Sequence, residues 1–338
     1  MKNLVKTTLT AAAALVILPI LSFAESKSIY GWDGRLDYFA ASQDMKTLSD
    51  SVVSLWKAPS VTIANGIAKL STVNFGDRLN LCPREKFREQ TIGAFCSGAL
   101  VGPDLVMTAG HCIKTEEDCK NTKLAFGYYV KKAGAPAVTM MPAGEIYTCA
   151  KIVKRFLGGE PGSVNPAGQA LGPDYAIIKL DRAVTGHKPL AINRGANLKK
   201  GDSIFVIGHP VGLPLKVAAG AQVRDFSKIG YFAADLDTFG GNSGSPVFNT
   251  RTKLIEGILV RGDTDFIKSP AGCTTMATYA QTGGRGEDVT KISAVSSFIP
   301  RLRGASKSME SEGESRIVDI DMSGLQTPEL PAREISFN

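Results

Sequence analysis

The chain has 338 residues, 43% of them hydrophobic and 21% charged, with a formal net charge of +7. This is ordinary globular composition, sufficient for one large core or two medium ones. The positive charge is dispersed and no Lys/Arg run is interleaved with aromatics, so a nucleic-acid partner is not expected.

Residues 1–24 read as a secretory signal. Lys2 and Lys6 supply the basic start, Leu9 to Leu21 is apolar, and Ser22-Phe23-Ala24 presents small residues to a signal peptidase, so cleavage is expected after Ala24. A retained anchor is the competing reading. Pro19 interrupts that stretch, and its length is marginal for a bilayer span. No membrane association is therefore expected after cleavage, and the localisation expected is secreted or periplasmic.

Beyond the signal, short β-rich runs dominate. Strands are expected at Ser51–Trp56, Ala94–Val101, Leu105–Ala109, Leu124–Val130, Ile146–Val153 and Ala176–Leu180. Gly158 to Gly172 reads as a surface loop, and Gly186 to Lys200 as a connection between two halves. Ser203–Ile207, Tyr231–Ala234, Pro246–Asn249 and Leu254–Arg261 supply strands for the second half. Many short strands separated by turns argue for barrels or sandwiches and against βαβ units. Val289, Ile292, Val295, Phe298, Ile299 and Leu302 recur at helical spacing and predict one C-terminal helix, ended by Pro300. Residues 305–338 turn acidic and thinly apolar, the composition of a flexible tail. No internal repeat is visible.

All six cysteines, Cys82, Cys96, Cys112, Cys119, Cys149 and Cys273, follow the signal, and an even count in an exported chain favours disulfides. With no C-x-x-C pair and three histidines in all, a metal site is not expected.

Three stretches carry chemistry. Gly240-Gly241-Asn242-Ser243-Gly244-Ser245-Pro246 surrounds a serine with glycines, which let a substrate approach and let backbone N–H groups point at a developing oxyanion. The amides of Gly241 and Ser243 are the expected anion hole. Thr108-Ala109-Gly110-His111-Cys112 puts an imidazole at a strand end, where it can take up and return a proton. Pro173-Asp174-Tyr175-Ala176-Ile177-Ile178-Lys179-Leu180 drives a carboxylate into an apolar strand, where it needs a partner such as an imidazole N–H.

The order His111, Asp174, Ser243 and these three motifs resemble the chymotrypsin/trypsin-like serine proteases over about residues 29–304. The likeness is closer to the bacterial glutamyl endopeptidases in Gly-Gly-Asn-Ser-Gly-Ser-Pro-Val-Phe and in Ser28-Ile29-Tyr30-Gly31-Trp32-Asp33-Gly34-Arg35. The resemblance implies an all-β fold of two antiparallel six-stranded β-barrels, about 29–185 and 186–304, followed by the C-terminal helix. It also implies that Ser243 attacks a scissile carbonyl, His111 acts as base and then acid, and Asp174 orients the ring. A disulfide between Cys96 and Cys112 is expected from the same family. The other four cysteines allow three pairings, of which Cys119–Cys149 with Cys82–Cys273 is preferred.

Two positions depart from the family. Trypsin-like zymogens carry Asp immediately before the nucleophile to receive a new N-terminus, whereas this chain has Asn242. A propeptide, if there is one, is confined to Glu25–Lys27. The specificity pocket is expected around Asp237, Val260 and Gly262, and a carboxylate at Asp237 would select Arg or Lys before the cut. Leu259 stands where glutamyl enzymes carry histidine, although a nearby Arg261 neutralising Asp237 would favour an acidic side chain instead. His209 is expected to be a structural loop residue and His187 a surface one. The expectation is thus a monomeric secreted endopeptidase acting on polypeptides without a cofactor. A glutamyl-specific enzyme and an inactive protease-like binding protein are the alternatives. A chaperone-protease of the same fold is disfavoured, because the tail after Ala305 is too short for a peptide-binding domain.

Overall fold

This computed structural model describes residues 29–158, 172–195 and 197–302. Six strands, Val52–Lys57 (β1), Cys96–Gly102 (β2), Leu105–Thr108 (β3), Thr122–Ala125 (β4), Ile146–Leu157 (β5) and Asp174–Leu180 (β6), pair antiparallel in the closed order β1-β2-β3-β6-β5-β4. Six more, Ser203–Gly208 (β7), Lys216–Asp225 (β8), Tyr231–Ala234 (β9), Pro246–Asn249 (β10), Ile255–Arg261 (β11) and Glu287–Lys291 (β12), pair in the order β7-β8-β9-β12-β11-β10, which closes through β7 with β10. The two barrels therefore follow the same path, although no repeat is visible in their sequences. The chain has the two closed six-stranded barrels of the chymotrypsin-like fold.

The strands are dictated by burial. β2 and β11 are buried along their whole length, the signature of strands covered on both sides. The interior of the second barrel is filled by Ile204, Val206, Phe232, Val247 and Val289. A larger cluster joins Val53, Leu55, Val106 and Ile177 of the first barrel to Phe205, Phe248 and Ile258 of the second, so the barrels share a core.

The chain ends do not respect the expected boundary between halves. Arg35–Asp37 pairs with Lys216–Ala218 of β8, and Ile29–Tyr30 pairs parallel with Thr278–Tyr279, so the segment expected in the first barrel belongs to the second. At the other end, Phe298 stacks on Tyr175 of β6 and Ile299 enters the shared core.

The expected C-terminal helix is not formed among the described residues. Glu287–Lys291 is the last barrel strand, and only two single 3₁₀ turns follow, Ile292–Ala294 and Ser296–Phe298. Val289 and Thr290 gain more by joining a ladder between β9 and β11 than a lone helical turn could offer, and tertiary pairing overrides the periodicity. β8, which lacks clean alternation, is a strand the sequence reading omits.

All three preferred disulfides occur: Cys96–Cys112, Cys119–Cys149 and Cys82–Cys273. Among the described residues no helix is long and apolar enough to cross a membrane. The signal at 1–24, the Glu25–Lys27 segment, most of the 158–172 loop and the tail at 305–338 lie outside the described residues.

Candidate active site

The loop after β3 carries His111, and the matching loop of the second barrel, between β9 and β10, carries Ser243. The two loops touch. Gly244 has φ +91°, and a Cβ there would fall 2.0 Å from Ser97 O and 2.2 Å from Thr108 Oγ1, so only glycine lets the serine loop lie against the end of β3. Ser97 N donates to Ser243 O at 2.8 Å.

Asp174 opens β6 and is fully buried, with its side chain 0% exposed. It is satisfied by three N–H groups. Oδ1 accepts from Gly110 N at 2.6 Å and His111 N at 3.1 Å, and Oδ2 lies 2.6 Å from His111 Nδ1. An ionised carboxylate can only accept, so Nδ1 carries the ring proton of the neutral imidazole and Nε2 is left as an acceptor. Thr290 of β12 locks the strand from the other barrel: its hydroxyl accepts from Asp174 N and donates to Asp174 O, both at 2.9 Å. Arg155 fixes the histidine loop by donating to Gly110 O at 2.7 Å.

His111 and Asp174 are thus brought together as expected. Ser243 lies on the loop packed against the histidine loop, its carbonyl 3.7 Å from Cys112 Sγ, but among the described residues its Oγ makes no hydrogen bond, to His111 or to any other group. The amides of Gly241 and Ser243 likewise donate to no group among the described residues. Gly241 has φ +88°, and a Cβ there would lie 2.8 Å from both Gly212 N and His209 O. The position is therefore closed to any other residue. Ser97 holds the loop from behind, donating to Gly241 O at 2.9 Å while accepting from His209 N at 2.9 Å. Ser97 is missed by sequence reading because nothing local distinguishes it from any strand serine.

Asn242, before the serine, is buried and accepts from Ser245 Oγ at 3.2 Å. The anchoring of the N-terminal segment falls to Asp237 instead. Its Oδ1 accepts from Tyr30 N at 2.8 Å and its Oδ2 from Gly34 N at 2.7 Å. Burial pushes its pKa up to about 6 against the pull of those two amides.

A cavity of about 290 Å³ opens beside Ser243. One wall is Thr238-Phe239-Gly240, the other runs from Leu259 to Asp263, and Asp265 and Glu287 complete it. Val260 and Gly262 therefore line it as expected, but Asp237 does not. It faces the N-terminal segment, whose two amides occupy both its oxygens. Nor does Arg261 neutralise Asp237: its Nε donates to Asp288 Oδ2 at 3.0 Å and a terminal nitrogen to Gly172 O at 3.0 Å. Of the acids that do line the cavity, Asp263, Asp265 and Glu287, the buried one is Glu287, which lies just before the run read as a helix and is not singled out by the sequence reading. A visible signal existed, because Glu287-Asp288-Val289-Thr290 is, like Asp174, an acid entering an apolar strand.

Two histidines lie outside the site. His209 is buried, donates from Nδ1 to Leu213 O at 3.0 Å, and stacks on Tyr128. Burial pushes its pKa down to about 3, so it stays neutral. It is structural, as expected. His187 is more enclosed than expected, stacked on Phe126 and 2.8 Å from Glu145 Oε2. The ligand atoms of Cys96, His111 and Cys112 lie within 4.8 Å of one another, but both sulfurs are spent in the disulfide and offer no thiolate to a metal.

Residues 96–257 match the family described as trypsin-like peptidase domain. No curated protein matches the sequence. Among solved structures, the Vibrio cholerae VesB protease is similar at 16% identity and TM-score 0.45, covering 79% of this chain, which spans 66% of that one. A Glu endopeptidase in complex with MPD is similar at 18% identity and TM-score 0.39, covering 75% of this chain and 95% of that one. Neuropsin, a serine protease expressed in the limbic system of mouse brain, is similar at 16% identity and TM-score 0.44, covering 75% and 94%.

Proposed function

Because the chain carries a trypsin-like peptidase domain across residues 96–257, we propose that it is a serine endopeptidase whose nucleophile is Ser243. The observation that carries this reading is the 2.6 Å pair between His111 Nδ1 and buried Asp174, on a loop packed against the one that carries Ser243, a residue that lines a cavity. Ser243 Oγ attacks the carbonyl carbon of the scissile peptide bond while its proton passes to His111 Nε2. Asp174 holds the resulting imidazolium in place. The carbonyl oxygen becomes an oxyanion and is met by the amides of Gly241 and Ser243. The tetrahedral species collapses, the C–N bond breaks, and His111 returns the proton to the departing amine. A water then repeats the sequence on the acyl-serine and restores the enzyme. No step requires a cofactor.

The substrates are polypeptides. Residues 1–24 direct export, and the three disulfides suit an oxidising compartment, secreted or periplasmic. The acidic lining of the cavity favours Arg or Lys before the cut over Glu. Labelling with a fluorophosphonate, followed by mass spectrometry, tests the mechanism. An adduct on Ser243 that disappears when His111 is replaced by Ala is the expected result. A protein that takes no adduct on Ser243 is a binding protein of the same fold and not an enzyme.

A further inference from the structure

We propose that Glu287, on the floor of the cavity beside Ser243, selects the substrate by pairing with the cationic end of a lysine or arginine side chain immediately before the cut bond. This assignment rests on the serine-peptidase reading above for what happens next to the cavity, but the cation site itself stands on separate observations.

The first observation is placement. Glu287 is the opening residue of β12 and is 3% exposed. A Cβ added at Gly262 would fall 2.1 Å from Glu287 Oε2, so the glycine in the facing wall is what uncovers the carboxylate to the cavity. The second is what it touches. Oε2 accepts from Thr238 Oγ1 at 2.6 Å, and Oε1 accepts from Tyr30 Oη at 3.3 Å and from Asp263 N at 3.4 Å. Every one of these donors is neutral.

The third observation is charge. Asp263 and Asp265 share the cavity with Glu287. Among the described residues none of the three has a cation within ion-pairing distance. The nearby guanidiniums are already matched: Arg261 and Arg285 both pair with Asp288, at 3.0 and 2.7 Å, and Arg35 pairs with Asp33 at 2.7 Å. Burial, reinforced by the neighbouring Asp265, therefore pushes the Glu287 pKa up to about 8. A buried carboxylate without a counter-charge is costly, and a ligand that supplies the missing cation removes that cost. Phe239, Leu259 and Val260 give the cavity an apolar flank that suits the methylene stem of lysine or arginine. A glutamate side chain there would bring a fourth carboxylate into the same space.

The test uses purified full-length protein, benzamidine as a cationic probe, and peptides differing only in the residue before the cut. Calorimetry is expected to show benzamidine binding to wild type and to Asp237→Asn, weakened at least about 30-fold in Glu287→Gln. Wild type is expected to cut after Arg or Lys about 100-fold faster than after Gln, with Glu287→Gln levelling the two. Fluorophosphonate labelling of Ser243 in all three proteins reports an intact fold and nucleophile. Benzamidine binding that survives Glu287→Gln, or labelled wild type that prefers Glu, overturns the assignment. Benzamidine binding that depends on Glu287 in a protein whose Ser243 takes no label supports the cation site while removing the peptidase reading. Should the variant not fold, wild type that cuts after Gln or Glu as fast as after Arg or Lys still overturns the assignment.

Discussion

The two barrels are built on one plan and put it to opposite use. In each, the chain visits six strands in the same cyclic order, and the loop between the third and fourth strands carries a reactive side chain, His111 in the first barrel and Ser243 in the second. In each, the sixth strand begins with a buried acid, Asp174 or Glu287. Asp174 is completed from within by two amides and an imidazole. Glu287 meets only hydroxyls and one long amide contact. The same position thus orients a base when its partner is supplied by the chain. When no cation is supplied, it stores an unmet demand for one.

The sharpest way to break this comparison is to remove its reactive members. Ser243→Ala is expected to lower peptide turnover on the order of 10⁶-fold, read by hydrolysis of a peptide amide. Asp174→Asn leaves an amide that cannot hold the same tautomer of His111. It is expected to cost about 10⁴-fold in kcat, and retention of wild-type kcat would show that the carboxylate is only structural. The barrels also differ in bracing. Cys96–Cys112 and Cys119–Cys149 both lie within the first, and Cys82–Cys273 ties it to a loop of the second. Replacing Cys119 and Cys149 by Ala is expected to lower the free energy of unfolding by about 2–4 kcal/mol in denaturant titrations, with hydrogen exchange rising mainly in the first barrel.

The smallest effect is a dependence of stability on pH. Glu287 takes up its proton far more readily when folded, its pKa being raised to about 8, and Asp237 and Asp265 are raised to about 6. The folded state therefore binds more protons than the unfolded one between the ordinary carboxylate range and about pH 8. These groups make stability fall as pH rises through that window. Tyr30 and Arg285 also face Glu287, but both are raised above their ordinary values and do not change charge between pH 6 and 8. Glu287→Gln should accordingly flatten the fall between pH 6 and 8, measured as Tm across that range. An unchanged slope would mean that the carboxylate is better solvated than its burial implies.

The reactive residues were legible because each sits in a local pattern with a chemical reason: glycines around a serine, a histidine at a strand end, an acid entering an apolar strand. Most barrel strands were legible for the same reason, since burial on both faces writes a continuous apolar run. What escaped notice depends on distant partners. Val289 opens a run with the spacing of a helix, yet Glu287–Lys291 is a strand because β9 and β11 flank it. Asp237 has the expected position for a selector, yet its carboxylate is taken by the amides of Tyr30 and Gly34, about two hundred residues away in the chain. No local pattern announces that pairing. Ser97 and Thr290 act by bridging one barrel to the other, which a linear reading cannot show.

The crossed fastening of the chain ends has a consequence for how the protein is made. Residues 35–37 cannot find their ladder until Lys216–Ala218 exists, and the Asp237 clasp waits for still more chain. Such distant pairings form late. Tyr30 also donates to Glu287, so the lining of the cavity is finished only after residue 287 has been made. A nascent or truncated chain would hold His111 and Asp174 together while still lacking a complete recognition surface. Pulse-labelled hydrogen exchange should find the amides of Tyr30 and Gly34 among the last to become protected, and early protection there would refute this order of assembly.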